Sequence, residues 1–306
     1  MFLQVYHINI LVEKITIVTV SDNHYVILLA ALTKSIEANL SENKAIDMWV
    51  IDDGISENSK AKLERSINPK ITTLHWKSVK EIIPEGTKLP IDYSSWPLNI
   101  YLRFFIPFFI PESTPKVLFM DVDMINCTDI SVLWHTHLEG NIAAAVQDSR
   151  VKTFDNSWGG ILNYRELGLN GTTKYLNSGL LLMDLEKWRT NNVTEIALGY
   201  INNNKKFAFY PDQYGINIAL ANRWKPLDAG WNHFVTPDFA PCNVMHFVGR
   251  KPIYESYNGN PAYRDAFYKY LNQTDWKGTK PITESMRYLK KISNKLTKFK
   301  TIFNKK

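Results

Sequence analysis

The chain has 306 residues, of which 45% are hydrophobic, so it can bury a large core, and these values exclude a disordered chain. The formal net charge of +6 resides in residues 287–306, which hold eight basic residues and no acidic one, whereas the rest has 28 basic against 30 acidic residues. The body of the protein is therefore slightly acidic, and we expect no nucleic-acid partner.

Cysteine content and apolar runs indicate the compartment. Only Cys127 and Cys242 are present, which excludes a disulfide framework and favours a reducing compartment. The apolar residues of 1–14 are interrupted by polar ones, unlike those of a signal peptide. The longest apolar run, 98–110, contains a charged residue and falls short of the ~20 residues that span a bilayer. We therefore expect a cytoplasmic protein without a membrane span.

The first part of the chain alternates strand and helix patterns. The predicted elements are strands at 15–20, 46–51 and 71–76 and helices at 25–40 and 56–66. Ser21, Asp22 and Asn23 follow the first strand and are each suited to cap the first helix. This alternation predicts an α/β fold with a mostly parallel sheet that helices cover on both faces.

The stretch 115–124 is the one on which the functional interpretation depends. A run of apolar residues leads into Asp121 and Asp123, whose side chains share a face, because positions i and i+2 of a strand do. Divalent cations such as Mn²⁺ and Mg²⁺ bind carboxylate oxygens and keep positions open for phosphates. The pair follows a strand, where open α/β sheets bind their ligands, so we predict a metal site there.

The rest of the chain continues the alternation. The predicted elements are short helices at 99–105 and 131–135, strands at 142–146, 180–183 and 243–247, and longer helices at 184–203 and 212–222. Residues 150–174, which include Trp158, are rich in Asn and Gly without a period, and a loop of that length is usually functional. We predict one domain at 15–280 after an N-terminal extension at 1–14, with no repeat and no linker.

The C-terminal residues 281–306 are predicted to form a basic amphipathic tail. Its apolar residues recur at alternating spacings of three and four and share one helical stripe with lysines around it: Leu289, Ile292, Leu296, Phe299 and Phe303. Such a helix can lie on an anionic membrane surface with its apolar face down. The alternative is a helix that docks on its own domain.

Several pieces of this sequence, taken in order, resemble glycosyltransferase family 8. They are Ile17 to Tyr25, Tyr101-x-Arg103, Lys116 to Asp123, Asn177 to Trp188, Asp212-Gln213 and His246 to Pro252. The family comprises retaining enzymes, among them bacterial lipopolysaccharide galactosyl- and glucosyltransferases and the glycogenins. The resemblance implies a GT-A fold, which is Rossmann-like.

The resemblance also implies roles for individual residues. Asp121, Asp123 and His246 match the family's metal ligands, with Mn²⁺ as the expected ion and Mg²⁺ as the alternative. The residues that match the UDP-sugar site are Asp22, Tyr25, Arg103, Asn177, Gly249 and Lys251. Those that match the positions around the transferred sugar, and so the catalytic step, are Asp148, Asp212 and Gln213. Each also has a simpler interpretation: Asp22 as a helix cap, Arg103 as an ion-pair partner, and Asp148 and Asn177 as turn residues.

The implied activity is retaining transfer of glucose or galactose from a UDP-sugar to an acceptor hydroxyl. The expected acceptor is a sugar of a lipopolysaccharide or lipooligosaccharide core, reached by a peripheral enzyme on the inner face of the plasma membrane. A glycogenin-like transferase with a protein or polysaccharide acceptor is an alternative. A non-catalytic protein that binds carbohydrate or UDP is another. A sugar nucleotidyltransferase is disfavoured, because residues 21–25 contain no glycine for a phosphate loop.

Overall fold

A computed structural model describes residues 12–90 and 96–288. The strands are β1 (Glu13–Asp22), β2 (Lys44–Asp53), β3 (Thr72–Ser78), β4 (Lys116–Met120), β5 (Met124–Asn126), β6 (Ala143–Gln147), β7 (Leu176–Asp184), β8 (Trp224–Pro226), β9 (His233–Phe234) and β10 (Val244–His246). The α-helices are α1 (Val26–Asn39), α2 (Glu57–Ser66), α3 (Val79–Ile82), α4 (Ile106–Phe109), α5 (Ile130–Trp134), α6 (Leu185–Thr190), α7 (Val193–Asn203), α8 (Pro211–Ala219) and α9 (Pro261–Leu271), and 3-10 helices span Leu98–Phe105 and Ala229–Asn232.

The main sheet has seven strands in the order β3-β2-β1-β4-β7-β6-β8. Its described pairings are parallel except for those of β7, which runs antiparallel to both β4 and β6. The prediction of a mostly parallel sheet is confirmed, although the sequence did not indicate the direction of β7. Because β7 runs antiparallel to β4, the first residues of β7 lie beside the carboxyl end of β4. In a parallel pair they would lie beside its amino end.

Two apolar cores cover the two faces of this sheet. Side chains alternate along a strand, so Ile17 of β1 packs into the core beneath α1 and α9, while Val18 packs into the core that contains α7 and α8. Helix α1 buries Leu28, Leu29 and Leu32 against the first of these cores. The predicted layer architecture, with helices on both faces, is therefore confirmed.

A second sheet holds the strand that was predicted at 243–247. Its order is β5-β10-β9, with β5 antiparallel to β10 and His246 paired with Met124. The backbone N–H of Phe247 donates to the carbonyl of Asp123 at 2.9 Å. The strand therefore does not extend the main sheet. This pairing brings His246 next to the end of β4.

The predicted helix at 184–203 was wrong, because the structure has two helices there, α6 and α7. Asn192, between them, has a φ of 49°, a left-handed conformation that asparagine tolerates better than most residues. The side chain of Asp184 accepts the N–H of Lys187 at 2.9 Å and so caps α6. The run Thr190-Asn191-Asn192 favours a helix break over continuation.

The prediction that Ser21, Asp22 or Asn23 caps α1 was also wrong in detail. The residue at the cap position is Tyr25, and its side chain makes no capping hydrogen bond. Asp22 Oδ1 instead accepts the backbone N–H groups of His24 and Tyr25, each at 2.8 Å, in the turn before the helix. Asp22 therefore shapes the turn that follows β1.

The last described residues form backbone hydrogen bonds with the rest of the domain. Residue Ile282 forms an isolated bridge with Tyr254, and the N–H of Glu255 donates to the carbonyl of Ile282 at 3.0 Å. The apolar stripe predicted in the tail falls on 289–306, which lie outside the described residues, as do 1–11. No helix within 12–90 and 96–288 is long and apolar enough to cross a bilayer.

Candidate active site

The cluster of polar residues expected at one end of the sheet surrounds a cavity of about 390 Å³. The end of β4, the start of β7 and the first turn of α8 form its floor, and His246 of β10 closes one side. Of the residues predicted from the sequence, those that line it are Asp22, Tyr25, Arg103, Asp121, Asp123, Asp148, Asn177, Asp212, Gln213, His246 and Lys251. Gly249 lies in the neighbouring cavity, which shares Asp22 and Tyr25 with the first.

Asp121, Asp123 and His246 come together although Asp123 and His246 are 123 positions apart along the chain. One ligand atom from each lies within 4.8 Å of the others. The Nε2 atom of His246 is 3.3 Å from Asp123 Oδ1 and 3.9 Å from Asp121 Oδ2. Two carboxylates and one imidazole nitrogen facing each other form a donor set that suits a divalent cation.

Gly179 makes room for this group. A Cβ atom at this position would lie 2.7 Å from His246 Cε1 and 2.8 Å from Asp121 Oδ2. The backbone of β7 therefore touches two of the three candidate ligands, and the N–H of Asp121 donates to the carbonyl of Gly179 at 2.8 Å. Glycine is required here by close approach rather than by an unusual φ.

A chain of buried amides sets which nitrogen of His246 faces the carboxylates. The carboxylate of Asp148 can only accept hydrogen bonds, so the Nδ2 group of Asn177 must face it, at 2.9 Å. The Oδ1 atom of Asn177 then accepts from Nδ2 of Asn232 at 2.8 Å. Asn232 thus presents its own Oδ1 to His246 Nδ1, at 2.8 Å.

The proton of neutral His246 therefore resides on Nδ1, since the only atom of Asn232 that faces it is an acceptor. This leaves the lone pair of Nε2 directed at Asp121 and Asp123, as a metal ligand requires. Asn232 was not predicted from the sequence. It lies in a short 3-10 helix with no periodic pattern, and an isolated asparagine gives no signal of its own.

Arg103 joins two acidic residues of the site. Its Nη2 atom is 3.2 Å from Asp121 Oδ1 and 3.5 Å from Asp212 Oδ2. Its Nη1 atom donates to the carbonyl of Ser178 at 2.6 Å, and the guanidinium lies 4.7 Å from the ring centre of Phe119. Arg103 therefore forms ion pairs with Asp121 and Asp212, as in the alternative interpretation of this residue. All three residues line the cavity.

Burial and charge move the pKa values of the two aspartates in opposite directions. Burial raises the pKa of Asp121 to about 6, against the opposing effect of the Arg103 guanidinium. Burial would also raise the pKa of Asp123, but the Lys251 ammonium in contact with it holds that pKa below its ordinary value. Asp123 is therefore the more strongly anionic member of the pair.

Asp148, Asp212 and Gln213 are all held by hydrogen bonds. Asp148 Oδ1 accepts the N–H groups of Arg150 and Val151 at 2.8 and 2.9 Å. Asp212 Oδ2 accepts the Ser178 hydroxyl at 2.9 Å. Gln213 Oε1 accepts from Asn177 Nδ2 at 2.8 Å and from the N–H of Ser178 at 3.0 Å. Asn177 is therefore not a turn residue but the centre of a buried network within β7.

Lys251 lies next to Asp123, whereas Arg103 lies next to Asp121. Its Nζ atom contacts Asp123 Oδ2 and donates to the carbonyl of Phe247 at 2.7 Å. Gly249, two residues earlier, has a φ of 103°, with no atom within 4 Å of a Cβ built on it. A positive φ of this kind favours glycine, so the segment between β10 and Lys251 depends on that residue.

The observed residues fit a divalent cation. Asp121 and Asp123 are hard oxygen ligands, and the proton on His246 Nδ1 leaves Nε2 free to bind. Arg103 and Lys251 offset part of the negative charge from either side without occupying the oxygens that face His246. The structure thus supports a divalent metal at this position.

Comparisons with known proteins identify relatives of this chain. General stress protein A of Bacillus subtilis (strain 168) is 28% identical over 289 residues, which cover 86% of this chain and 95% of that protein. Lipopolysaccharide 1,2-glucosyltransferase of Escherichia coli (strain K12) is 30% identical over 200 residues, which cover 61% of this chain and 57% of that protein.

Solved structures share the fold. The galactosyltransferase LgtC, crystallised with donor and acceptor sugar analogs, matches 89% of this chain and 99% of its own with a TM-score of 0.69 at 22% identity. The apo structure of the bifunctional glycosyltransferase WbbM gives the same TM-score at 20% identity, and the match covers 50% of it. The fold is therefore GT-A, as predicted. Residues 16–252 match the model of Glycosyl transferase family 8, and this chain belongs to that family.

Proposed function

We propose that this glycosyltransferase moves glucose or galactose from a UDP-sugar to an acceptor hydroxyl with retention of anomeric configuration. The observation that carries the proposal is the meeting of Asp121, Asp123 and His246 at the end of β4, next to Asn177. The family supports the reaction class, and we assign the diphosphate and the hexose to the positions beside these residues. UDP selectivity is assigned to Asp22, with Tyr25 against the base.

Asp121, Asp123 and His246 would hold Mn²⁺, or alternatively Mg²⁺. A cation bound there supplies Lewis-acid stabilisation of the charge on the diphosphate. Lys251 adds a positive charge at the same side, and the segment with Gly249 allows close approach of the backbone to the phosphates. These groups act on charge that develops as the diphosphate departs, so they lower the barrier more than they strengthen substrate binding.

Asn177 and Asp148 are assigned to the hydroxyls of the donor sugar, with Asp212 and Gln213 beneath its anomeric carbon. Both carboxylates already accept hydrogen bonds, and Gln213 is a weak nucleophile. We therefore favour front-face substitution over double displacement. The bond from the anomeric carbon to the phosphate oxygen breaks, the bond to the acceptor oxygen forms, and the acceptor proton passes to the departing phosphate.

The experiment that tests the activity measures UDP release from UDP-glucose, UDP-galactose and UDP-N-acetylglucosamine, with Mn²⁺ and with EDTA. Metal-dependent release from UDP-glucose or UDP-galactose is the expected result. Binding of UDP without any turnover would support the alternative of a non-catalytic binding protein. Trapping a glycosyl adduct on Asp148 or Asp212 in a slow variant would overturn front-face substitution.

For the acceptor we propose a sugar of a lipopolysaccharide or lipooligosaccharide core. The name of the E. coli relative, a lipopolysaccharide 1,2-glucosyltransferase, supports this choice, although only 57% of that protein is matched. A glycogenin-like enzyme with a protein or polysaccharide acceptor remains the alternative. Incubation with UDP-[¹⁴C]galactose or UDP-[¹⁴C]glucose and purified truncated core oligosaccharides separates the two, because self-labelling of the protein alone would support the alternative.

We further propose that residues 287–306 place the enzyme on the inner face of the plasma membrane. The support is the predicted apolar stripe and its surrounding lysines. A chain that ends at Met286 keeps the bridge at Ile282 and should no longer sediment with anionic liposomes. Its UDP release in solution should match that of the full chain. Unchanged sedimentation would mean that the tail docks on the domain.

A further inference from the structure

Asn217, a buried residue of α8, joins this helix to the first residue of β7. Its Oδ1 atom accepts the N–H of Leu176 at 2.7 Å, and its Nδ2 atom donates to the carbonyl of the same residue at 2.9 Å. Nδ2 also donates to the carbonyl of Gln213, one helical turn earlier, at 2.9 Å. The side chain is 0% exposed and does not line the cavity. Asn217 therefore bonds to Leu176 as a residue of a neighbouring strand would.

The main sheet is irregular where this contact occurs. The register between β6 and β7 shifts between Ala145 and Gln147, so the described pairing of these strands passes over residues 177–180 of β7. These residues are nevertheless buried. Buried backbone groups that lose a strand partner need another one. Side chains have to provide hydrogen bonds along this part of β7.

Helix α8 provides them at two positions that match the strand. Gln213 Oε1 accepts the N–H of Ser178 at 3.0 Å, while Asn217 bonds to Leu176. Four residues of a helix rise about 6 Å, and two residues of a strand rise about 6.6 Å. Amide side chains one helical turn apart therefore reach alternate residues of β7, and the helix takes the place of a strand there.

The hydrogen-bond partners of Asn217 use its whole amide group. The N–H of Leu176 can only donate, so Oδ1 must face it, and the carbonyls of Leu176 and Gln213 take the two hydrogens of Nδ2. No donor of this side chain is left for a substrate. Any effect of Asn217 on the reaction must therefore act through the residues that it holds.

Those residues belong to the group assigned to the donor hexose. The register of β7 with β4 fixes Leu180, and Asn217 fixes Leu176, so Asn177 lies on a segment that is held at both ends. Asn177 Nδ2 in turn donates to Gln213 Oε1 at 2.8 Å. The spacing between β7 and α8 thus determines where these two amides lie in the cavity.

We propose that Asn217 is a positioning residue for sugar transfer, which sets the distance between Gln213 on α8 and Asn177 on β7. This inference rests on the proposed function, since both residues are assigned there to the donor hexose. The candidate metal ligands depend instead on the pairing of β4 with β7 and of β5 with β10. Loss of Asn217 therefore affects the hexose more than it affects the nucleotide and the metal.

The test compares turnover with nucleotide binding in Asn217→Leu. We expect kcat for UDP release from UDP-glucose or UDP-galactose to fall about 10–100-fold, because small displacements of groups around reacting atoms have effects of this size. The Kd of UDP, measured by isothermal titration with Mn²⁺, should stay within about threefold of the wild-type value, because distant sites act independently. A fall in UDP affinity as large as the fall in kcat would overturn the proposal.

Asn163→Leu is the matched control. This buried amide accepts the hydroxyl of Tyr214, also in α8, at 2.9 Å and donates to Asn204 at 2.9 Å. The substitution removes hydrogen bonds from the same helix without touching its contacts with β7, so kcat should stay within about twofold of the wild type. Equal losses of kcat in Asn163→Leu and Asn217→Leu would mean that Asn217 only stabilises the fold.

A second variant tests the same point if Asn217→Leu does not fold. In Asn217→Ser the hydroxyl can donate to the carbonyl of Gln213, as serine hydroxyls in helices do, whereas both contacts with Leu176 are lost. The helix keeps its own hydrogen bonds, and only its connection to β7 is broken. We expect kcat to fall here as well, and a folded Asn217→Ser protein with wild-type kcat would contradict the proposal.

Failure of the transferase activity gives a different result. The Kd values of UDP and of UDP-hexose, each measured with Mn²⁺, report the hexose contacts without turnover. If the wild type binds UDP-hexose more tightly than UDP but releases no UDP, the activity is wrong, and loss of this difference in Asn217→Leu still supports the role of Asn217. If the difference persists in the variant, that role is wrong. A wild type that gains no affinity from the hexose and releases no UDP would refute both.

Discussion

The Oδ1 atom of Asn232 faces the Nδ1 atom of His246 at 2.8 Å, and this contact orients the imidazole toward Asp121 and Asp123. The same asparagine donates to Asn177, so one buried side chain connects the candidate metal site with the residues assigned to the donor sugar. Loss of a group that orients a metal ligand in this way typically lowers metal affinity or activity by about 10–100-fold.

Replacement of Asn232 should therefore weaken metal binding. Asn232→Leu removes the acceptor that holds the proton on His246 Nδ1, and we expect Mn²⁺ affinity to fall about 10–100-fold. Calorimetric titration with Mn²⁺ measures the affinity, and ¹⁵N NMR of the metal-free imidazole reports its tautomer. Asn163→Leu is the control, because this buried amide contacts Asn204 and lies outside the cavity lining. An Asn232→Leu protein with wild-type affinity and tautomer would contradict the prediction.

Gly179→Ala should disturb the same site by steric contact. The added methyl group would meet His246 Cε1 at 2.7 Å and Asp121 Oδ2 at 2.8 Å, so both side chains must move. We expect Mn²⁺ affinity to fall about tenfold or more, as for other changes that displace a ligand.

A second glycine provides the matched control for this prediction. Gly199 lies inside α7 with no atom within 4 Å of a built Cβ, so Gly199→Ala should raise the free energy of unfolding by about 0.5–1 kcal/mol and leave metal affinity unchanged. Equal metal affinities of the two alanine variants would show that the approach at Gly179 is not limiting.

Arg103 should be important for stability as well as for the site. Arg103→Met leaves Asp121 and Asp212 without their shared cation in a buried position, and we expect a loss of about 3–5 kcal/mol in the free energy of unfolding. Chemical denaturation of the metal-free protein measures it. Arg65→Met breaks a pair with Asp275 in which the arginine is 59% exposed, and should cost less than about 1 kcal/mol. Similar losses in the two variants would argue against this account.

Lys251→Met should change metal affinity and turnover in opposite directions. The ammonium contacts Asp123 Oδ2, so its removal leaves this carboxylate more available, and we expect Mn²⁺ to bind the nucleotide-free protein more tightly. UDP release should nevertheless slow by about 10²–10³-fold, because a charge that stabilises the departing diphosphate is lost. Titration with Mn²⁺ measures the change in metal affinity, and steady-state kinetics on the same preparation measure the change in UDP release. A parallel fall in both quantities would indicate a merely structural role.

The sequence predicted the local elements well because their patterns are local. The strand that leads to Asp121 and the turn at Asp22 each follow from a few neighbouring residues. The direction of β7 and the pairing of β10 with β5 did not follow, since they depend on which distant strands meet. The helix break at Asn192 was not predicted, because the apolar residues keep their helical spacing past Asn192 although the helical conformation of the backbone is interrupted there.

The candidate site was predictable to the extent that its residues stand in recognisable motifs. Asp121, Asp123 and His246 were found in this way, and the structure brings them together. Asn232 and Ser178 were missed, because their roles arise only from the partners that folding gives them. Gly179 was part of a matching motif, but only the distance to His246 shows why no larger residue fits.

The reversed direction of β7 has a consequence for how such an enzyme can diversify. The segment between β6 and β7 is held at its base, where the N–H of Asp148 donates to the carbonyl of Tyr175 at 2.9 Å, and its residue Trp158 lines the cavity. Lengthening or exchanging the part of this segment around Trp158 would alter the cavity lining and leave the register between β4 and β7 untouched. Under the proposed function, a change of acceptor would then require no change in the residues assigned to the donor.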